Sequence, residues 1–168
     1  VNAYLPTPSK GRGAARLQLD GHVKALLRSI GPSLICMVGD LNNTRTKMDT
    51  QVEFSGPDYQ RCRASFEDIL REAQLADVWR EQHPHATGEG AFTSYQNGTP
   101  GSGSHRTSAR VDYVLVPQRR APDTRVRVMH ERGEFLAERE EWNGRTDHCK
   151  WYCVRSDHLP LFATLRLS

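Results

Sequence analysis

A chain of 168 residues is the size of one ordinary domain. Its balance of 23 Lys+Arg against 20 Asp+Glu permits a polyanionic partner without demanding one. No run of about 18 apolar residues occurs, which excludes a membrane-spanning helix, and four cysteines are too few for a dense disulfide framework, as suits a reducing, intracellular compartment.

The chain opens at Val1, without Met, and enters at once a strand-like run to Leu5, ended by Pro6 and Pro8. Such a start reads as a cut through a domain. Ser9 to Gly13 is a loop. Leu17, Leu19, Val23, Leu26, Leu27 and Ile30 recur at helical spacing and predict an amphipathic helix closed by Gly31-Pro32. Leu34 to Val38 is a continuous apolar run, the pattern of a strand buried on both faces, and Gly39-Asp40 ends it. After a polar, irregular stretch over 43–60, Phe66, Ile69, Leu70, Ala73, Leu75, Val78 and Trp79 predict a second helix from about Ala64 to His83. Phe92 to Tyr95 is a short strand, Gln96 to Ser108 a Gly/Ser/Thr-rich loop, and Arg110 to Val116 a strand stopped by Pro117. Residues 118–155 are charged, with a short strand at Val126 to Met129 and an insertion over Glu131 to Cys153. Leu161 to Leu167 is the last strand. Helices and strands alternate early and strands dominate late, so the class is α/β or α+β.

Two chemistries suggested by composition are weak. The cations are nearly all Arg, whose planar fork suits phosphate, but Arg-favouring codons explain the bias equally well. His148, Cys149 and Cys153 form one cluster where a structural zinc site needs four ligands.

A stronger pattern lies in three polar strand tips: Val38-Gly39-Asp40-Leu41-Asn42, Arg110-Val111-Asp112-Tyr113 and Ser156-Asp157-His158-Leu159-Pro160. One such tip is usually a turn whose Asp caps backbone amides. Three of them, with a histidine, are the way a rigid scaffold presents polar groups to one site. In this order they resemble the endonuclease/exonuclease/phosphatase superfamily of metal-dependent phosphodiesterases. Val1 to Pro6 is similar to the strand that carries that family's active-site tyrosine, and the resemblance covers essentially the whole chain. Leu75 to Arg80, His83-Pro84, Phe92-Thr93 and Ser108 to Tyr113 look most like the endonuclease domain of LINE-type retrotransposons, with apurinic/apyrimidinic endonucleases next.

The resemblance implies residues 1–168 to be the C-terminal part of a single domain, a four-layer α/β/β/α sandwich whose N-terminal strands are missing. It implies Mg²⁺ or Mn²⁺ as cofactor and DNA as partner, with no membrane and a nuclear location. Asp40 is the candidate to orient and deprotonate a water, and Asn42 to donate its amide to a phosphate oxygen. His158 would contact the phosphate or move a proton, oriented by Asp112, and Tyr4 would serve the phosphate or the leaving group. Asp40, Asn42 and Asp157 would hold the metal. Each also has a bland explanation: Asp112 can pair with Arg110 or cap a turn, and Tyr4 can be an edge-strand aromatic. Arg106, Arg110 and His105 are candidates to touch phosphates.

The family's Asn and metal-binding Glu on earlier strands have no counterpart here, so the isolated chain is expected to be weakly active or inactive. Its open apolar sheet face would be covered by a partner chain or by the N-terminal half. Three functions follow: retrotransposon-type nicking of target DNA, abasic-site repair, or a non-catalytic remnant acting as a binding module.

Overall fold

The computed structural model describes residues 1–8, 11–50, 56–88, 91–96, 107–128, 158–159 and 161–166. The predicted first helix is present as α1, Gly13–Ile30. Its buried stripe is Gly13, Arg16, Asp20 and Leu27, joined by the half-buried Val23 and Ile30, whereas Leu19 and Leu26 are exposed. An Arg can occupy that stripe because Asp20, one turn on, takes its Nε–H at 2.8 Å and the Pro6 carbonyl takes another donor at 2.8 Å. Gly31, with φ 53°, ends the helix in the left-handed region, and its N–H donates to the Leu27 carbonyl.

The second predicted helix is instead three elements. Helix α2 spans Pro57–Glu72, β2 spans Leu75–Asp77 and α3 spans Val78–Gln82. Gln74, with φ 50°, reverses the chain after α2. Leu75, Val78 and Trp79 continue the helical periodicity of α2, and a short buried strand cannot be told from a helix by periodicity alone.

Strand β1, Met37–Asp40, lies two to three residues later than the apolar run implied, and carries Asp40 as its last residue. It pairs antiparallel with β5, Asp112–Pro117, which pairs on its other side with β2. Val1 to Leu5 lies along the free edge of β1: Val38 N–H donates to the Val1 carbonyl, and Ala3 and Leu5 N–H donate to Val38 and Asp40, all at 2.9–3.0 Å. Gly39, with φ 142°, permits this approach, because a Cβ there would collide with the Ala3 carbonyl oxygen.

Alternation along β5 builds two cores. Tyr113 and Leu115 face α1 and α2, in a cluster with Leu5, Leu27, Met37, Phe66 and Leu70. Val114 and Val116 face the other way, against Ala76, Trp79, Phe92, Val126 and Val128. The second cluster is closed by β6, Thr124–Val128, paired antiparallel with β7, Leu161–Leu165. Strands β3, Ser94–Gln96, and β4, Thr107–Ala109, form a third antiparallel pair, so part of the expected 96–108 loop is strand. The result is an α/β fold with antiparallel sheets, with α1 and α2 on one face of the β1–β5–β2 sheet and α3 and the β6–β7 pair on the other. The 131–153 insertion and Asp157 lie outside the described residues.

A buried ionic lattice ties the elements together. Arg110 donates to Asp49 Oδ1 at 2.8 Å and, through both terminal nitrogens, to Asp77 at 3.0 and 2.6 Å. Arg80 also pairs with Asp49, and Arg45 joins Asp77 to Glu67. The Arg110 guanidinium lies 4.5 Å from the Tyr113 ring centroid and 5.1 Å from that of Trp79. Arg110 is only 1% exposed. It therefore cannot touch a phosphate, and its partners are Asp49 and Asp77 rather than Asp112.

Candidate active site

The antiparallel register sets Asp40 opposite Asp112, so two carboxylates stand side by side at one end of the sheet. Leu41 N–H donates to the Val111 carbonyl at 2.9 Å, and the chain then turns. Asn42 adopts φ 44°, a left-handed conformation that Asn tolerates better than most residues. Folded back in this way, its backbone N–H donates to Asp40 Oδ1 and its Nδ2 to Asp40 Oδ2, both at 2.8 Å. Nδ2 also donates to the Leu5 carbonyl at 3.0 Å, and Oδ1 accepts the Thr7 hydroxyl at 3.0 Å. Both amide hydrogens of Asn42 are thus taken, where an extended chain would have left them for a phosphate.

His158 Nδ1 lies 2.8 Å from Asp112 Oδ2, with the two side chains 31% and 20% exposed. With the proton on Nδ1 the ring donates to the carboxylate, and Nε2 is on the edge away from Asp112. The peptide around His158 is held by its bridge to Ser94 and by Leu159 N–H, which donates to the Thr93 carbonyl at 2.6 Å.

Thr93 is the residue to which sequence motifs gave no task. Fully buried, its hydroxyl accepts from both Val111 N–H and Asp112 N–H at 3.1 Å, while its own N–H donates to Ala109. One residue therefore fixes the tip of β5 and the segment that carries His158. Only its place in the Phe92-Thr93 motif set it apart in the sequence.

Asp40, Asp112 and His158 offer ligand atoms that all lie within 4.8 Å of one another. Burial raises the Asp40 carboxyl above the ordinary range, and the neighbouring Asp112 charge adds to this. The Asn42 backbone donor and His158 act in the opposite direction without cancelling it. Two adjacent carboxylates, each Asp40 oxygen with one of its acceptor positions taken by Asn42, suit a hard divalent cation that accepts one or two carboxylates and keeps several waters. A cation there would also relieve the Asp40–Asp112 repulsion.

The structure therefore brings Asp40, Asn42, Asp112 and His158 together. Tyr4 is on the adjoining edge segment, 75% exposed and alternating with Ala3 and Leu5, which pack into the core. Asp157, His105 and Arg106 are outside the described residues.

No protein-family model matches the chain, and no curated protein matches its sequence. Solved structures do match. An AP endonuclease from Archaeoglobus fulgidus aligns at TM-score 0.69 and 19% identity, over 99% of this chain and 60% of that one. The 3′ phosphatase NExo from Neisseria, bound to a product DNA hairpin, aligns at 0.65 and 17%, over 99% and 60%. The endonuclease domain of TRAS1, a telomere-specific non-LTR retrotransposon, aligns at 0.57 and 17%, over 99% and 57%. These identities speak for the fold alone. The chain spans 57–60% of the length of these three solved chains. The likeness to the endonuclease/exonuclease/phosphatase superfamily is thus present in the backbone as well as in the ordered motifs.

Proposed function

We propose that this chain carries the Asp40–Asp112–His158 side of a Mg²⁺-dependent phosphodiester hydrolase, a DNA endonuclease of the retrotransposon type. The observation that carries the proposal is the cluster itself: an Asn-braced carboxylate and a His–Asp pair, within 4.8 Å, at neighbouring strand tips. Nuclease neighbours of the same fold support it.

Hydrolysis needs a base for the attacking water. Asp40 is the candidate base, at the tip of β1 with Asp112 and His158 beside it. Asn42 positions it by occupying one acceptor position on each oxygen. His158, oriented through Nδ1 by Asp112, contacts the phosphate or passes a proton at Nε2. Tyr4, exposed on the edge segment whose Leu5 carbonyl holds Asn42, serves the phosphate or the leaving oxygen. A bound Mg²⁺ would supply charge neutralisation at the phosphoryl oxygens, held by Asp40 and Asp112 with Asp157 as a further ligand, while Asn42, expected as a ligand, braces Asp40 instead because its Nδ2 faces that carboxylate and its Oδ1 accepts from Thr7. Asp112 enters this set because the sheet register places it beside Asp40. DNA as substrate and a nuclear location belong to the same proposal.

The test is relaxation of supercoiled plasmid by the purified chain in Mg²⁺ or Mn²⁺. Weak nicking that disappears in Asp40→Asn and in His158→Ala is expected. Nicking that survives both substitutions would overturn the assignment. Strong nicking lost in His158→Ala would keep the site but refute the expectation of weak activity. Abasic-site cleavage is the second reading, favoured by the closer superposition on the archaeal AP endonuclease, TM-score 0.69 against 0.57 for the retrotransposon domain. A duplex cleaved only when it carries an abasic site would select it. Binding of DNA with no cleavage in either cation would instead select the non-catalytic module.

A further inference from the structure

The outward face of the β6–β7 pair carries a surface that the candidate active site does not use. Leu161, Ala163 and Leu165 of β7 and Val126 and Val128 of β6 pack inward, so alternation sends Arg125, Arg127, Phe162 and Thr164 outward. Register makes Arg127 the cross-strand partner of Phe162 and Arg125 that of Thr164. The Arg127 guanidinium lies 5.3 Å from the Phe162 ring centroid, and Phe162 is 44% exposed.

These four residues, with Gln82, His83 and Val126, line a groove of about 720 Å³. Among the described residues no acidic side chain lines it. Two guanidiniums, an imidazole and a hydroxyl border one hollow with an exposed aromatic ring among them, and Arg125, whose Nη1 donates to the Pro122 and Thr124 carbonyls at 3.0 Å, keeps its other nitrogens for a ligand. The surrounding chain repeats the bias: Gln118 to Val128 holds four arginines against one aspartate, and Arg166 follows β7.

We propose that this face binds a single strand of nucleic acid, its phosphates on Arg125 and Arg127 and one base stacked on Phe162. The chemistry favours a single strand over a duplex. A stacked pair hides its base faces from Phe162, whereas an unpaired base has a free π-face, and every base can stack. Position agrees with this. Phe162 is four residues beyond His158, which bounds their separation at about 13 Å, so a strand leaving the Asp40–His158 cluster can reach the groove. The face is separate from that cluster, and binding there is read without cleavage.

The experiment is fluorescence anisotropy of a labelled oligo(dT) against the full chain, repeated from low to moderate salt. Phe162→Ala is expected to weaken binding about tenfold, within the usual range for losing one stacked base. Arg125→Gln/Arg127→Gln should weaken it and reduce the slope of log Kd against log salt by about 1.4, two phosphates' worth for a single strand. All three substituted residues are exposed, and unchanged melting curves would show that the fold is retained. Wild-type affinity and salt slope in both variants would overturn the proposal. So would a wild type that binds no oligo(dT), that prefers duplex, or that self-associates through this face in a Phe162-dependent way. A chain that nicks nothing yet loses oligo(dT) binding in these variants would uphold this proposal independently of the nuclease assignment.

Discussion

Replacing Arg110 by Met should cost stability without directly weakening DNA binding. The side chain is 1% exposed and donates three hydrogen bonds to Asp49 and Asp77, which are themselves 0% and 1% exposed. Methionine fills much of the volume and removes the charge. Two buried carboxylates then depend on Arg80 for Asp49 and on Arg45, 3.3 Å away, for Asp77. Breaking a buried pair by removing one partner costs about 3–5 kcal/mol. The remaining arginines place the cost near the lower end, about 3 kcal/mol. At about 2–4 °C per kcal/mol for a domain of this size, the melting temperature should fall by about 6–12 °C. Calorimetry or urea unfolding measures this, and a double-mutant cycle with Asp77→Asn should return a coupling above about 1 kcal/mol. A variant within about 1 kcal/mol of wild type that loses DNA affinity would refute the reasoning, because Arg110 would then be a phosphate contact.

Gly39→Ala should unfold the edge: a Cβ would strike the Ala3 carbonyl at a backbone φ of 142°, and a loss of about 3 kcal/mol or more is expected in urea. Thr93→Val should leave the buried Val111 N–H and the half-buried Asp112 N–H without an acceptor, at about 1–3 kcal/mol for the first and less for the second. Thr93→Ser keeps the hydroxyl, so it should restore most of the stability, together with the turnover number of any Mg²⁺-dependent cleavage. Burial would raise the Asp49 carboxyl, yet Arg110 and Arg80 hold it below its usual value. Its folded pKa is thus below the unfolded one, so its contribution is full above about pH 4 and lost as pH falls through the folded value. Urea midpoints followed from pH 6 to about pH 2.5 should drop less steeply at the acid end in Asp49→Asn than in wild type.

The short apolar runs that became strands were largely readable from the sequence, because alternation and flanking Gly or Pro survive into the structure. Strand β6 begins two residues before the predicted Val126 and β7 at the predicted Leu161. What failed was the join between α2 and α3. Leu75, Val78 and Trp79 are buried as predicted, but β5 recruits Leu75 to Asp77 as a strand, and that pairing is non-local. No window of local sequence contains it.

The site divides in the same way. Asp40 and Asp112 stand opposite each other through register, so their proximity follows once the two strands are paired. Asn42 could not be placed from its spacing to Asp40, since an extended chain and a left-handed turn put its amide on different acceptors, and only the turn satisfies Leu5 and Thr7 as well. Arg110 and Asp112 show why a motif does not assign roles within itself. They are two residues apart in Ser108 to Tyr113, yet one closes a buried lattice with Asp49 and Asp77 and the other orients His158 in a half-exposed cluster. Leu75 to Arg80 and Ser108 to Tyr113 meet through the Asp77–Arg110 pair. Their joint presence is therefore explained by packing, and the weight of any functional inference rests on Asp40, Asp112 and His158.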